Sequence, residues 1–299
     1  MEISRVPDAA IIVACSGGAD SVAAAHLAVE AGASVMALVH IDHGLRPDSA
    51  SEFEVVGAHA ADLDVRALTF TVTVDRRGST EDSARRARWG ALRAAAACAR
   101  ASYVATGHTA DDQAETVLMR LARGSGITGL RAMRPLEADV WRPLLSWRRD
   151  DVRRLCHERG WSYADDPTNV DRRHERNRIR LDVLPALGPR AVPALSRLAA
   201  LAADDDDLLE ALVDDAPIER LSERSVAIPL AWLTAAHPAL ARRAIRRATR
   251  LAGADHAPAA DRIDEARQGL PVSLGAGLAS RRDGPVLVIG PDPRFVADR

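Results

Sequence analysis

Four short apolar runs, separated by alanine-rich stretches, constrain this chain most: IIVA at 11–14, VMALVHI at 35–41, LTFTVTV at 68–74 and YVATG at 103–107. Each is too short for a core helix and rich in residues that suit a pleated, buried backbone. The stretches between them, VAAAHLAVEAG, SASEFEVVGAHAADL and TEDSARRARWGALRAAAACAR, are proline-free and made largely of helix formers. Strands alternating with helices build βαβ units, whose crossovers cover both faces of a parallel sheet. The expected fold is therefore α/β, with a doubly wound, mostly parallel sheet. Sites in such sheets lie beyond the carboxyl ends of the strands. Ser16 to Ser21, His40 to Arg46, the residues just after Val74, and Gly107 to Asp112 are thus expected to gather in one crevice.

After Gly124 this rhythm stops. RGSGITGLRAMRP reads as a glycine-rich loop, WRPLL follows, and a helix near Arg148–Arg159 is expected to end at Gly160. Pro185 and Pro189, with Gly188 between them, mark the expected end of a larger domain, 1–185. Residues 186–268 read as a smaller, mainly helical domain, and 269–299 as a short tail in which PVSLGAGLA and PVLVIG form a candidate β-hairpin across SRRDG.

The turn after the first strand carries the chemistry. In Cys15-Ser16-Gly17-Gly18-Ala19-Asp20-Ser21, two glycines permit a tight turn and a close approach of amide groups to a ligand. Ser16 and Ser21 add hydroxyls, and the following helix start supplies unpaired N–H groups with the positive end of its dipole. Such a turn suits phosphate. Asp20 would repel bare phosphate unless a divalent cation such as Mg²⁺ joined them, so the segment implies a nucleotide with a metal. It has neither the GxxxxGK[ST] nor the GxGxxG spacing. An ordinary glycine-rich βα turn is the competing reading.

Two further strand ends are polar. His40-Ile41-Asp42-His43-Gly44-Leu45-Arg46 is costly to bury and is expected in an exposed crevice, or else as a plain polar loop closed by Pro47. In His108-Thr109-Ala110-Asp111-Asp112-Gln113-Ala114-Glu115, and on into the helix it opens, the residues Ala114, Val117, Leu118 and Leu121 share a face. One carboxylate among Asp111, Asp112 and Glu115 serves readily as a cap, but not all three. They are candidates for holding a metal or a cationic amine, with His108 on phosphate. Arg85 and Arg88 either face the crevice or belong to a surface helix on which Glu81 and Arg85 pair.

Charge distribution matters more than total charge. The chain has 40 basic and 42 acidic residues, a net charge of −2, yet arginines cluster at 142–154, 172–180 and 242–250 while acids concentrate at Asp204–Asp207. Such segregation would attract a polyanion to one face. The helix bearing Arg242, Arg246 and Arg250 is read equally as a phosphate contact or a solvated surface. Three cysteines, Cys15, Cys98 and Cys156, form no CxxC pair, which disfavours a disulfide scaffold or a cysteine-held cluster. Neither a membrane-length apolar run nor a secretion signal is evident in the sequence, so a cytoplasmic protein without membrane contact is expected. Exposed helical faces leave a homodimer open.

Taken in order, these segments resemble a known family. CSGGADS is similar to the SGGxDS loop of the N-type ATP pyrophosphatases; HIDHGLR, TEDSARRARW, TGHTADDQAETVLMRLARGSGITGL, RPLL, DDPTN and RNRIR resemble the bacterial tRNA(Ile)-lysidine synthetases. The match runs from about Ile11 to Pro185. The resemblance implies ATP-dependent adenylation at C2 of the wobble cytidine in isoleucine tRNA with a CAU anticodon, followed by attack of the L-lysine ε-amine. It implies Ser16, Gly17, Gly18, Asp20, Ser21 and His40 at ATP, Asp20 on Mg²⁺, and Asp20, Arg88, His108, Asp111 and Asp112 as catalytic residues. Asp42, Arg85, Asp111, Glu115, Arg176, Asn177, Arg178 and Arg180 are implied at lysine or tRNA. The chain departs from the family pattern at Thr109, often a histidine, at Trp89, commonly tyrosine, and at Pro167, commonly serine. A tRNA thiolase of the same fold is the competing enzyme, disfavoured by the lack of paired cysteines; a small-molecule ligase and a nonenzymatic ATP-binding protein complete the alternatives.

Overall fold

The structure is a computed structural model that describes residues 2–42, 49–72, 80–164 and 171–292. His43, Gly44 and Arg46, the segment after Val72, and DDPTN with Pro167 lie outside the described residues. The chain divides into two compact units, 1–203 and 204–299.

The first unit is built on a six-stranded sheet ordered β3-β2-β1-β4-β6-β5. Strand β1 (Ile11–Ala14) is its centre, paired in parallel with β2 (Val35–Asp42) on one side and β4 (Tyr103–Thr106) on the other. Strand β3 (Arg66–Thr71) extends the sheet beyond β2, also in parallel. The two-residue strands β5 (Leu136–Glu137) and β6 (Val140–Trp141) form an antiparallel edge, with β6 parallel to β4. All four residues of β1 are buried, which explains its unbroken apolar run: helices cover both of its faces.

The crossovers are α1 (Ala19–Glu30), α2 (Ser49–Asp62) and α3 (Thr80–Cys98). Helix α1 packs with small side chains, Ala23, Ala24, Ala25 and Ala28, fully buried between the sheet and α6 (Arg149–Arg159). Gly160 ends α6 in the left-handed conformation, φ 68°, as its position in the sequence predicts. Helix α4 (Ala110–Ala122) follows β4 and begins with a capping box in which Thr109 and Asp112 satisfy each other's orphan groups. The short α5 (Ile127–Leu130) follows it.

Helix α7 (Glu175–Arg178) runs through a π-helical turn, Ile179–Val183, into α8 (Leu184–Leu187). Pro185 lacks an N–H and crowds the preceding turn, which accounts for the loosened geometry. The domain boundary expected at Pro185 falls instead at Ala203/Asp204, inside α9 (Ala191–Asp214). Packing explains the difference: Val192, Leu195 and Ala199 of α9 join Ala114, Leu118 and Val117 of α4 in shared cores of the first unit. The prolines break a helix there without separating domains.

The second unit has a five-stranded antiparallel sheet ordered β7-β8-β11-β10-β9, from β7 (Glu219–Ser222), β8 (Ser225–Pro229), β9 (Val272–Gly275), β10 (Leu278–Asp283) and β11 (Val286–Pro291). Helices α10 (Leu230–Ala235), α11 (Pro238–Leu251) and α12 (Ala260–Arg267) cover it. PVLVIG forms β11 as expected, but its hairpin partner β10 runs through SRRD, expected as the connection, while PVSL forms the separate strand β9. The tail is not a separate piece, however, because β11 pairs with β8 and closes one core around Ile228, Ile245, Ile263 and Leu287. This unit is therefore mixed rather than mainly helical.

Candidate active site

Strand order reverses at β1, so the carboxyl ends of β1 and β4 flank the crevice where doubly wound sheets bind ligands. The turn from β1 into α1 occupies this position. Gly17 has φ 82°, a conformation that a side chain resists, and its carbonyl accepts from Ala164 N–H at 2.9 Å. Gly18 caps α1. Ser21 Oγ accepts from Ser16 N–H at 3.1 Å and donates to Gly18 O at 2.9 Å, folding the turn back over the helix start.

Asp20 lies in the first turn of α1. Its Oδ1 is buried with no hydrogen-bond partner among the described residues, and its Oδ2 is 3.6 Å from Arg149 Nε. Burial pushes its pKa up to about 6, against the opposing pull of Arg149. A half-satisfied carboxylate beside a phosphate turn fits a divalent cation whose other ligands come from phosphate and water. Among the described residues no group of three His, Cys, Asp or Glu side chains could hold a metal by itself.

Strand β4 delivers the next group. Gly107 touches the phosphate turn so closely that a Cβ would stand 2.5 Å from Asp20 C and O and 2.8 Å from Ser21 N. His108 follows, its Nδ1 2.7 Å from Thr106 Oγ1. His108 is half-buried and Arg88 exposed. Burial lowers the His108 pKa to about 3, outweighing Asp112, so the imidazole is neutral at physiological pH. Desolvation, Arg85 and Arg176 lower the pKa of Arg88.

Behind His108 stands an ionic hub. Glu115 is fully buried and accepts from Arg149 Nη2 at 3.2 Å, Arg176 Nε at 2.7 Å and Arg180 Nε at 2.8 Å. Asp112 accepts from Thr109 N–H at 2.8 Å, Arg149 Nη2 at 3.1 Å and Arg176 Nη2 at 2.8 Å. Burial works against its charge, yet Arg149 and Arg176 hold it well below the usual carboxylate range. Asp111 binds Arg148 through both oxygens and takes Arg149 N–H at 2.8 Å. Arg149 thus connects Asp20 with Asp112 and Glu115, bridging α1, α4 and α6.

Sequence comparison decides what uses this arrangement. The PP-loop domain family matches residues 2–187. The tRNA(Ile)-lysidine synthase of Mycolicibacterium paratuberculosis is 43% identical over 247 residues, covering 81% of this chain and 74% of that protein. Those of Streptomyces coelicolor and Thermobifida fusca are 39% and 37% identical, each over 93% of this chain and over 84% and 91% of their own lengths. The chain belongs to the tRNA(Ile)-lysidine synthase family. Membership in the PP-loop family makes ATP a substrate of this chain. Among solved structures, the U34-tRNA thiolase NcsA from Methanococcus maripaludis, with its [4Fe-4S] cluster, aligns with a TM-score of 0.55 at 17% identity, covering 66% of this chain and 73% of that one. That likeness shows a shared fold.

Within this lysidine synthase family fold, the expected residues sort by place. Ser16, Gly17, Gly18, Asp20, Ser21 and His108 meet at the β1 and β4 ends. His40 lies in β2 at 2% exposure, buried rather than in the exposed crevice expected for it, and Asp42 ends the same strand. Arg85 and Arg88 are exposed on α3. Arg176 and Arg180, implied at lysine or tRNA, engage Asp112 and Glu115. Asn177 is buried and donates to Asp171 O at 2.9 Å, whereas Arg178 is exposed. On the helix read equally as a phosphate contact or a solvated surface, Arg242 meets Asp264 and Arg250 lies 3.9 Å from Glu210, while their neighbours are paired too: Arg243 meets Asp206 at 2.7 Å and Glu210 at 2.7 Å, and Arg247 meets Asp214. Asp206 belongs to the acidic run, so the segregation seen in sequence becomes neutralisation within the second unit. Arg149 was not expected, and Gly107 was expected at the crevice only as the first residue of a strand-end segment. Arg149 was hidden within a cluster that reads as surface charge, while the only hint for Gly107 was its place at a strand end.

Proposed function

We propose that this chain makes lysidine at the wobble cytidine of isoleucine tRNA bearing CAU, using ATP and free L-lysine. The observation that carries the reading is the meeting of the phosphate turn, with its half-satisfied Asp20, and the His108–Glu115 segment at the switch point of a lysidine synthase family sheet.

Ser16, Gly17, Gly18 and Ser21 hold the β- and γ-phosphates, and Asp20 would hold Mg²⁺, which supplies charge neutralisation on the departing pyrophosphate. The C2 oxygen of the base attacks the α-phosphorus, and the bond from that phosphorus to the bridging oxygen breaks. Charge developing on the α-phosphoryl oxygens is met by Arg88 and by His108, a neutral imidazole that donates a hydrogen bond. The Thr106 hydroxyl beside Nδ1 orients that ring. The lysine ε-amine, once deprotonated, attacks C2, and AMP leaves with the activated oxygen.

A free amino acid needs a partner for each of its two α-charges. The members of the hub that keep some exposed surface offer both kinds: Asp111 and Asp112 for the ammonium, and Arg176 and Arg180 for the carboxylate, with the fully buried Glu115 holding those arginines in place. This holds the backbone end of lysine and leaves its ε-amine to reach the base. A cytidine already in a loop reaches the crevice with little unpairing.

Incubating the protein with Mg-ATP, L-lysine and unmodified isoleucine tRNA, followed by digestion and nucleoside mass measurement, tests the reading. Lysidine and AMP are expected. ATP hydrolysis indifferent to this tRNA, or product that requires a sulfur donor, would reject it.

A further inference from the structure

The segment that follows α4 carries charge that adenylation and lysine binding leave unused. Gly129 packs so tightly on Ser125 that a Cβ there would stand 2.5 Å from the serine Cβ. This compact turn sends Gly129 O and Ala132 O towards Arg120, whose Nη1 donates to them at 2.8 and 3.3 Å. Gln113 holds Met133 through both backbone groups, at 2.8 and 3.0 Å, and so fastens the segment to the helix that begins beside His108. Arg142 donates to Arg134 O at 2.7 Å, Arg131 pairs with Glu137 at 3.1 Å, and Glu137 is also 4.0 Å from Arg142.

Arg131 and Arg142 therefore face one carboxylate, Glu137, which Arg120 also feels, while the Arg134 side chain donates to Ala203 O at 3.2 Å. Arg85 of α3 adds a fourth positive charge felt by Arg120 and Arg142, both of which burial and like charge hold below the usual arginine pKa. Arg142 is only 8% exposed, and its Nε is buried with no hydrogen-bond partner among the described residues. Accumulated like charge around buried donors is costly unless an anion offsets it. Strand β6 pairs with β4 in parallel, Trp141 opposite Ala105, so Arg142 follows at the same level as the end of β4 that leads to His108, and the basin adjoins the reacting centre.

We infer that the basin seats the RNA phosphodiester backbone flanking the base presented to His108, with Arg131 and Arg85 as its solvent-side contacts. This rests on the lysidine synthase reading. The contacts are to charge and carry no base identity, so they give affinity and register while the crevice selects the base. The glycine-rich turn serves the same end: it fixes the carbonyls that hold Arg120 in place.

Binding of unmodified CAU isoleucine tRNA, followed by fluorescence anisotropy over a range of NaCl concentrations, tests this with Arg131→Gln and with Arg85→Gln/Arg131→Gln. The plot of log affinity against log salt should become shallower by about 0.7 for each phosphate that the protein no longer neutralises, and the KM for tRNA should rise several-fold. ATP affinity of Arg131→Gln, measured without RNA, should stay within twofold. Arg131→Lys keeps the charge and should restore the slope. Unchanged slope and KM in variants that still make lysidine would overturn the inference and leave the lysidine reading standing. Weakened ATP binding with an unchanged RNA slope would assign the basin to the triphosphate and overturn it too. So would an Arg131→Lys slope as shallow as that of Arg131→Gln, which would trace the effect to a disturbed fold. Absence of lysidine from the unaltered enzyme would instead sink the reading beneath it.

Discussion

Two residues set the geometry and charge of the phosphate turn. Gly107 is the point where β4 passes the backbone of α1, and no rotamer change can relieve a Cβ 2.5 Å from Asp20 O. Gly107→Ala should cost about 1–3 kcal/mol and weaken ATP binding, as read by denaturant titration and calorimetry; wild-type values for both would refute the close approach. Asp20, with a folded pKa near 6 against 3.8 ordinarily, binds a proton in the native protein where the unfolded chain has lost it. Its contribution to stability therefore falls as pH rises from about 4 to about 6. Relative to wild type, Asp20→Asn should be equally stable at pH 4 and more stable by up to about 3 kcal/mol at pH 8, while losing adenylation. His26 and His108, lowered to about 4 and 3, impose the opposite slope on both proteins and drop out of the comparison. Ser16 to Ser21 were legible from local sequence because a turn, two glycines and a helix start are contiguous. Arg149 was not, since its meaning comes from carboxylates on two other helices.

At the level of elements, the centres of strands β1, β2 and β4 could be read because burial on both faces demands unbroken apolar runs, whereas the edge strand β3, with no buried residue, showed through its β-branched and aromatic residues. Strands β5 and β6 are two residues each and carry no such signal, and every residue of β7 is exposed. Pro185 and Pro189 marked a real irregularity, but the apolar stripe at the start of α9 decided which unit that helix joins. The ion hub binds α4 to α6 and α7. Glu115→Gln leaves three guanidinium groups short of a buried charge and should destabilise the first unit by about 3–5 kcal/mol, measured by urea denaturation. A loss below about 1 kcal/mol would mean that the pairs behave as exposed surface pairs.

For the whole molecule, each unit closes its own core. Arg243 is 5% exposed and Asp206 1%, a buried pair that belongs entirely to the second unit. Arg243→Ala should raise hydrogen exchange in 204–292 while leaving protection of β1, β2 and β4 unchanged; uniform loss across both units would show that they unfold together. No described helix is long and apolar enough to cross a membrane. In the proposed function, lysidine formation depends on a tRNA base reaching the α-phosphorus of an ATP held by the Ser16–Ser21 turn. Incubation with ATP labelled at the α-phosphate and CAU isoleucine tRNA, with lysine withheld, tests this most directly. Label should appear on the RNA and leave as AMP when lysine is added, with lysidine formed in step. Label that never enters the RNA while lysidine still forms, or transfer of the γ-phosphate instead, would contradict it.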